Sequence, residues 1–308
     1  MSALYLAFDI GGTHVKWGIL DDSGVLVEKG SFSSADGTGS VILSGIRETI
    51  AREKHRIEGV AVSAPGFIHQ PGGYIERGGA VTEFDDFDLC GTLEKEFQLP
   101  VTLENDVNCA ALAEYWLGSA SGVNDFTCMT IGTGIGGAMV LNGALYRGAA
   151  FRGGEFGFML TRGLNHDTPL QGSLSDVASI RTIRRRYAAV KHLKLEDVTG
   201  EMVFQAYDEG DAQAEQIIHQ FYETLALGIF NLAAILNPEK ILLGGGITSR
   251  PSFLAEISRH VSYVNEFLDI PLELCRFRND AGLIGALAHF KTVHQRTTDR
   301  KPDVRPLA

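Results

Sequence analysis

One short pattern occurs twice in this chain, and it restricts the fold more than any other feature. Leu4 to Phe8 is an apolar run, followed by Asp9-Ile10-Gly11-Gly12-Thr13 and an alternation of Val15, Trp17 and Ile19. Phe126 to Thr130 is a second such run, followed by Ile131-Gly132-Thr133-Gly134-Ile135-Gly136-Gly137 and Ala138 to Leu141. Each reads as buried strand, glycine-rich turn and return strand. Turn chemistry closes each unit, Asp21-Asp22-Ser23-Gly24 in the first and Asn142-Gly143 in the second. Ile10-Gly11 aligns with Ile131-Gly132 and Ile19-Leu20 with Val140-Leu141, whereas Asp9 has Thr130 as its counterpart. The chain therefore repeats one supersecondary element, once per domain. Glycines at such turns let backbone N–H groups approach phosphate oxygens without obstruction. Two turns of this kind, one per domain, suit an oligophosphate gripped from both sides. A dinucleotide fingerprint must open a helix, and neither turn does, which excludes a nicotinamide oxidoreductase.

The length of 308 residues fits two domains. A net charge of -11 gives nucleic-acid binding no support and requires a local basic pocket for any polyanionic substrate. Cys90, Cys109, Cys128 and Cys275 are widely spaced, so neither a disulfide framework nor a cysteine zinc site is expected. The start, Met1 to Asp9, is a strand interrupted by an acid rather than a signal peptide. No stretch is apolar enough to span a membrane. These features predict a cytoplasmic protein with no membrane or nucleic-acid partner.

Leu103-Glu104-Asn105-Asp106 closes a β-branched run and leads into an Ala-rich helix. A strand ending in Asn-Asp at a helix mouth points a carboxylate into the region where open α/β sheets bind ligands. Asp106 is thus a candidate general base on a hydroxyl, with a helix N-cap as the plainer alternative; Asn105 is also suited to capping. Asp9, an acid inside an apolar strand, needs a task. Holding the water shell of Mg²⁺ is one, because that ion takes few protein carboxylates. Thr13 and Lys16 are placed at the tip of the first turn. Pro65-Gly66 ends the strand from Gly59, a place for substrate contacts.

The remaining chain reads as follows. An amphipathic helix is predicted over Ser40 to Ile57, an irregular substrate-side loop over Gln70 to Asp88, and a short helix over Leu93 to Phe97. Glu155 lies among glycines and aromatics, suited to sugar hydroxyls, although on these residues alone a solvated loop acid is the plainer reading. Helical periods run from Ser173 to Ala189 and from Ala212 to Leu236, the second apolar on several sides and so a central packing helix. Lys240 to Leu243 is a strand, and the glycines Gly244, Gly245 and Gly246 after it allow close approach of adenine-ribose. Leu272 to Phe277 is a last strand, Ala281 to Ala288 a small-residue helix, and the tail from Arg296 is expected to be loosely ordered.

Together, Asp9-Ile10-Gly11-Gly12-Thr13, Glu104-Asn105-Asp106, Ile131 to Gly137, Gly154-Glu155 and Leu243-Gly244-Gly245-Gly246 resemble the motifs of the ROK sugar kinases, in that family's order over nearly the whole chain. The resemblance implies an α/β chain of two actin/hexokinase-like (ribonuclease H-like) domains with a nucleotide and sugar cleft between them. It places residues 1–117 plus 286–308 in the first domain and 118–285 in the second. It implies ATP, Mg²⁺, a sugar substrate and a homodimer. Carried over by position, Asp106 is the base on the sugar hydroxyl. Asn105 and Glu155 bind the sugar; Gly66, at its strand's exit, and Phe158 are further expected to face it. Gly11, Gly12, Thr13, Lys16, Thr133 and Gly134 serve phosphate, Gly245 and Gly246 the adenosine, and Asp9 the Mg²⁺ through water.

The departures from the family pattern are specific. Phe158 stands where a His is usual. The region His166 to Ser175 lacks the family's cysteine zinc loop, and Ser175 falls where a sugar-binding Glu is usual. No zinc is expected. The two lost groups normally hold the sugar on its anomeric side, so that side is expected to be open, with Phe158 available for stacking. This resembles a zinc-free branch, the β-glucoside kinases, which phosphorylate the 6-hydroxyl of glucosides such as cellobiose. Gly79-Ala80-Val81, in place of a usual Asn-Leu pair, also resembles that branch. A free-hexose kinase for glucose, fructose or N-acetylmannosamine is the alternative, and a non-catalytic sugar sensor a remote one.

Overall fold

The structure is a computed structural model that describes residues 2–35, 37–70, 72–163, 168 and 170–299. The chain divides into two compact units. The first holds residues 1–118, 147–152 and 279–308, and the second 119–146 and 153–278. The returning segment of the first unit thus starts at Asn279, where the sequence reading put 286.

In the first unit, β1 (Leu4–Ile10), β2 (His14–Asp21) and β3 (Leu26–Ser33) form an antiparallel meander. α1 (Gly39–Glu53) leads to β4 (Gly59–Ala64). A small antiparallel sheet follows: β5 (Phe67–His69), β6 (Tyr74–Arg77) and β7 (Phe87–Asp88). This corrects the irregular loop expected over Gln70 to Asp88. The strands have two to four residues, too few for a period-two pattern to register, yet Ile68 and Ile75 are fully buried. α2 (Leu89–Phe97) is capped by the Asp88 carboxylate on the Gly91 N–H, and β8 (Val101–Asn105) runs into α3 (Asp106–Leu117). The sheet order is β3-β2-β1-β4-β8, with β1, β4 and β8 parallel. α1 ends at Glu53 rather than Ile57, and buries Ile42, Ile46 and Ile50 in one cluster with Leu6, Phe8, Val60 and Val62.

In the second unit, β9 (Phe126–Ile131), β10 (Ile135–Leu141) and β11 (Ala144–Leu145) repeat the meander. α4 (Leu174–Val177), α5 (Ile180–Lys191), α6 (Gly200–Asp208) and α7 (Ala212–Leu236) precede β12 (Lys240–Gly244), α8 (Phe253–Val264) and β13 (Leu272–Leu274). The order β11-β10-β9-β12-β13 reproduces that of the first sheet, so the repeat read from the two glycine turns extends to whole sheets. The helix expected over Ser173 to Ala189 is broken at Ser179, whose hydroxyl caps the new helix on the Thr182 N–H. α7 runs between its caps, Asp211 and Asn237, the latter left-handed ahead of Pro238. It buries Ile217, Phe221, Leu225, Ile229 and Leu232 against Met129, Ile131 and Leu243, each such side chain contributing roughly 1.5–3 kcal/mol.

α9 (Ala281–Asp299) returns to the first unit. Its small residues allow backbone contact: a Cβ at Gly285 would lie 1.7 Å from the Cys109 carbonyl oxygen of α3. Of the tail expected to be loose, residues 300–308 lie outside the described residues.

Candidate functional site

In the first unit the site is assembled where β1, β4 and β8 end. Asn105 is the N-cap of α3. Its Oδ1 accepts the N–H groups of Val107 (2.9 Å) and Asn108 (3.1 Å), and its Nδ2 donates to the Gly66 carbonyl (3.1 Å). Capping therefore belongs to Asn105, and Asp106 is the first helical residue. An Asp106 oxygen accepts the Val107 N–H at 2.9 Å, which orients the carboxylate at the positive end of α3. Glu104, buried one residue before, accepts the Asn105 N–H (2.9 Å) and the Asn108 side-chain amide (3.0 Å), and is paired with Arg147. Gly66 has φ of 101°, and a Cβ there would lie 1.8 Å from the Arg77 carbonyl oxygen, so only glycine fits beside Asn105.

Asp9 is cross-strand from Lys16 and parallel to Ser63. The Ser63 hydroxyl donates to one of its oxygens at 2.9 Å, and the Lys16 ammonium lies 3.4 Å from the other. Lys16 also donates to the Asn279 carbonyl at 3.1 Å. The placement of Lys16 at the turn tip is corrected, because the hairpin closes at the Ile10–Val15 pair and Lys16 sits within β2. Gly11, Gly12 and Thr13 do occupy the turn, where the Gly11 N–H donates to the His14 carbonyl at 3.0 Å. A side chain at Gly282 would meet the Asp9 carboxylate at 2.4 Å, so the start of α9 packs directly on this acid. A single, partly exposed carboxylate matches the way Mg²⁺ is bound, through retained water and few protein oxygens.

In the second unit, Thr133 and Gly134 form the exposed tip of the β9–β10 turn. Gly245 follows β12 with φ of 92°, and a Cβ there would lie 2.2 Å from the Ile131 carbonyl oxygen. The backbone after β12 thus lies on the end of β9. Gly246 opens onto a pocket of 590 Å³ lined by Gly132, Thr133, Ile180, Phe204, Gln205 and Arg250, among others. That volume lies within the range typical of small-molecule sites, roughly 300–1,000 Å³, and its apolar and amide walls suit a purine nucleoside. The structure brings Thr133 and Gly246 into this one pocket. The walls supplied by α6 and by Arg250 escaped the sequence reading. Arg250 sits over the Phe204 ring at 5.0 Å and is held by both oxygens of Asp208 (2.6 and 2.7 Å) and by Glu256 (2.9 Å). These partners raise its pKa further. Glu201 at the rim is kept below the usual carboxylate range by its own backbone N–H and the Thr199 hydroxyl.

Glu155 lies in the second unit, after Gly154 (φ of 93°). It is half-buried, and burial raises its pKa. A carboxylate desolvated before any ligand arrives is poised to accept hydroxyl hydrogen bonds. Phe158 stands three residues on, 49% exposed. Ser175 is engaged elsewhere: its hydroxyl accepts the Ile135 N–H at 2.8 Å and lies 3.3 Å from the Ile135 carbonyl, bracing β10 next to the glycine turn. Among the described residues no group of three or more His, Cys, Asp or Glu side chains is placed to hold a metal ion. His166 and Asp167 lie outside the described residues. Among the described residues no helix is long and apolar enough to cross a membrane.

The chain is similar to known proteins over nearly its whole length. The sequence profile of the ROK family matches residues 5–293. A curated protein of Listeria monocytogenes named beta-glucoside kinase is 42% identical, over 92% of this chain and 96% of its own length. The solved structure of a ROK family protein from Streptococcus pneumoniae, in complex with sucrose, superposes with a TM-score of 0.85 at 30% identity, covering 95% of this chain and 99% of that one. The ROK family glucokinase of Streptomyces griseus, in complex with glucose and AMPPNP, gives a TM-score of 0.78 at 25% identity, covering 92% and 98%.

Proposed function

The chain belongs to the ROK family, and from that premise we propose that it is an ATP-dependent kinase acting on the 6-hydroxyl of β-glucosides such as cellobiose. The observation that carries the choice of substrate is the pair Phe158 and Ser175. An exposed aromatic replaces the usual His, and the hydroxyl that replaces the usual Glu is tied to Ile135. Neither side chain offers a fixed polar contact to a free anomeric hydroxyl, so a substituent is tolerated there. The beta-glucoside kinase relative supports a β-linked substrate, and the sucrose-bound family member, whose ligand is an α-linked glucoside, supports tolerance of an anomeric substituent.

Asp106 orients the 6-hydroxyl and accepts its proton as O6 bonds to the γ-phosphorus of ATP and the bond from that phosphorus to the β,γ-bridging oxygen breaks, releasing ADP. Asn105, Glu155 and the Gly66 backbone hold the sugar hydroxyls. Gly11, Gly12, Thr13, Thr133 and Gly134 present backbone and hydroxyl donors to the phosphates, with Lys16 adding charge, while Gly245 and Gly246 admit the adenosine. Asp9 would hold Mg²⁺, and that ion, when bound, would offset negative charge on the phosphates. The protein works in the cytoplasm as a homodimer and without zinc.

The reading is tested by incubating the purified protein with ATP, Mg²⁺ and cellobiose, then locating the phosphate by NMR. Phosphate on C6 of the non-reducing glucose is expected. ADP formation that does not depend on sugar contradicts the proposal.

A further inference from the structure

Resting on the β-glucoside reading, we propose that a pocket beside Phe158 is a subsite for a negatively charged aglycone, favouring aryl glucosides that carry a carboxylate over neutral ones. The pocket measures 600 Å³ and is lined by Phe158, Gln171, Ser175, Asp176, Arg181 and Arg185, among others. It includes both positions at which the chain departs from its family on the anomeric side. All of these residues belong to the second unit.

The charge balance of the pocket is uneven. Arg181 and Arg185 stand one turn apart on α5. Arg185 reaches an Asp176 oxygen at 3.3 Å, and the other Asp176 oxygen accepts the Gly172 N–H at 3.1 Å. The Arg181 guanidinium makes no hydrogen bond or ion pair among the described residues. Two further guanidiniums stand close behind and use neutral partners, Arg162 on Thr224 (3.4 Å) and Arg186 on Gln220 (3.0 Å). Burial together with the charges of Arg162 and Arg185 lowers the pKa of Arg186, a sign of positive potential left unbalanced. Asp176 is the one carboxylate paired in this cluster among the described residues, in a chain whose net charge is -11. An arginine fork matches a carboxylate in plane, and a half-exposed phenyl ring offers a face for an aromatic aglycone.

The test compares phenyl β-D-glucoside with 4-carboxyphenyl β-D-glucoside as acceptors, in wild type and in Arg181→Gln and Arg185→Gln. The wild type is expected to show about tenfold lower KM for the carboxylate, as one charge-assisted contact supplies. That preference should shrink at high salt and fall towards one in Arg181→Gln. Because both substrates are read on the same enzyme, a loss of folded protein does not alter the ratio. Equal KM values in wild type, or an unchanged ratio in Arg181→Gln, overturn the subsite while leaving the kinase reading intact. Turnover of glucose with no turnover of either glucoside overturns the subsite together with the β-glucoside reading on which it rests.

Discussion

Arg147 places Nη2 at 2.6 Å and Nε at 2.8 Å from one oxygen of Glu104, a residue whose side chain is 1% exposed. The other Glu104 oxygen holds the Asn105 N–H and the Asn108 amide. One buried carboxylate thus ties residues 147–152, the segment leading to Glu155, to the start of α3. Removing one partner of a buried pair leaves an uncompensated charge. Arg147→Met is expected to cost about 3–5 kcal/mol in denaturant unfolding. A loss under about 1 kcal/mol, the size of an exposed pair, contradicts this account of the helix start.

Asp106→Asn preserves the size of the side chain and removes the proton acceptor. We expect kcat to fall by about two orders of magnitude or more, with KM for the sugar nearly unchanged. Steady-state kinetics at saturating ATP provide the check, and parental turnover in this variant removes Asp106 from the role of base.

Gly282→Ala places a methyl group against Asp9, where a Cβ would sit 2.4 Å from the carboxylate. The acid must shift. Activity is expected to require several-fold more Mg²⁺, read from a titration of rate against metal, with little change in thermal stability. Unaltered Mg²⁺ dependence argues that Asp9 does not serve the metal.

Glu155 carries a pKa raised by burial, so its charged form is the less stable one in the folded apo protein. The stability linked to this group is complete below the unfolded carboxyl value and is lost as pH rises through the folded one. At neutral pH, Glu155→Gln should therefore melt at a higher temperature than wild type without ligand, the difference closing in mild acid. The same variant should bind sugar more weakly. Melting curves from pH 4 to 8, with and without glucoside, test both statements.

How much of this was legible in the sequence depended on range. The two glycine turns and the apolar period of α7 are local chemistry, carried by residues near one another in the chain. Lys16 was misplaced because hairpin register, not composition, sets where a turn closes. The β5–β7 sheet escaped notice because each strand is too short for alternation to appear. Arg147 and Arg250 were invisible for a different reason. Their partners Glu104 and Asp208 lie 43 and 42 residues away along the chain, and only the fold brings them together. Asn105 could be read as a cap, but its bond to Gly66 depends on two neighbouring strand ends.

The measurement that tests the central claim most directly is kcat/KM with Mg-ATP for cellobiose, methyl β-glucoside, glucose and N-acetylmannosamine under one set of conditions. The account predicts that cellobiose and the methyl glucoside exceed both free sugars by about tenfold or more, the scale on which a pocket discriminates by shape. A preference for glucose or N-acetylmannosamine would contradict it, and Phe158 and Ser175 would then mark only the loss of the zinc loop.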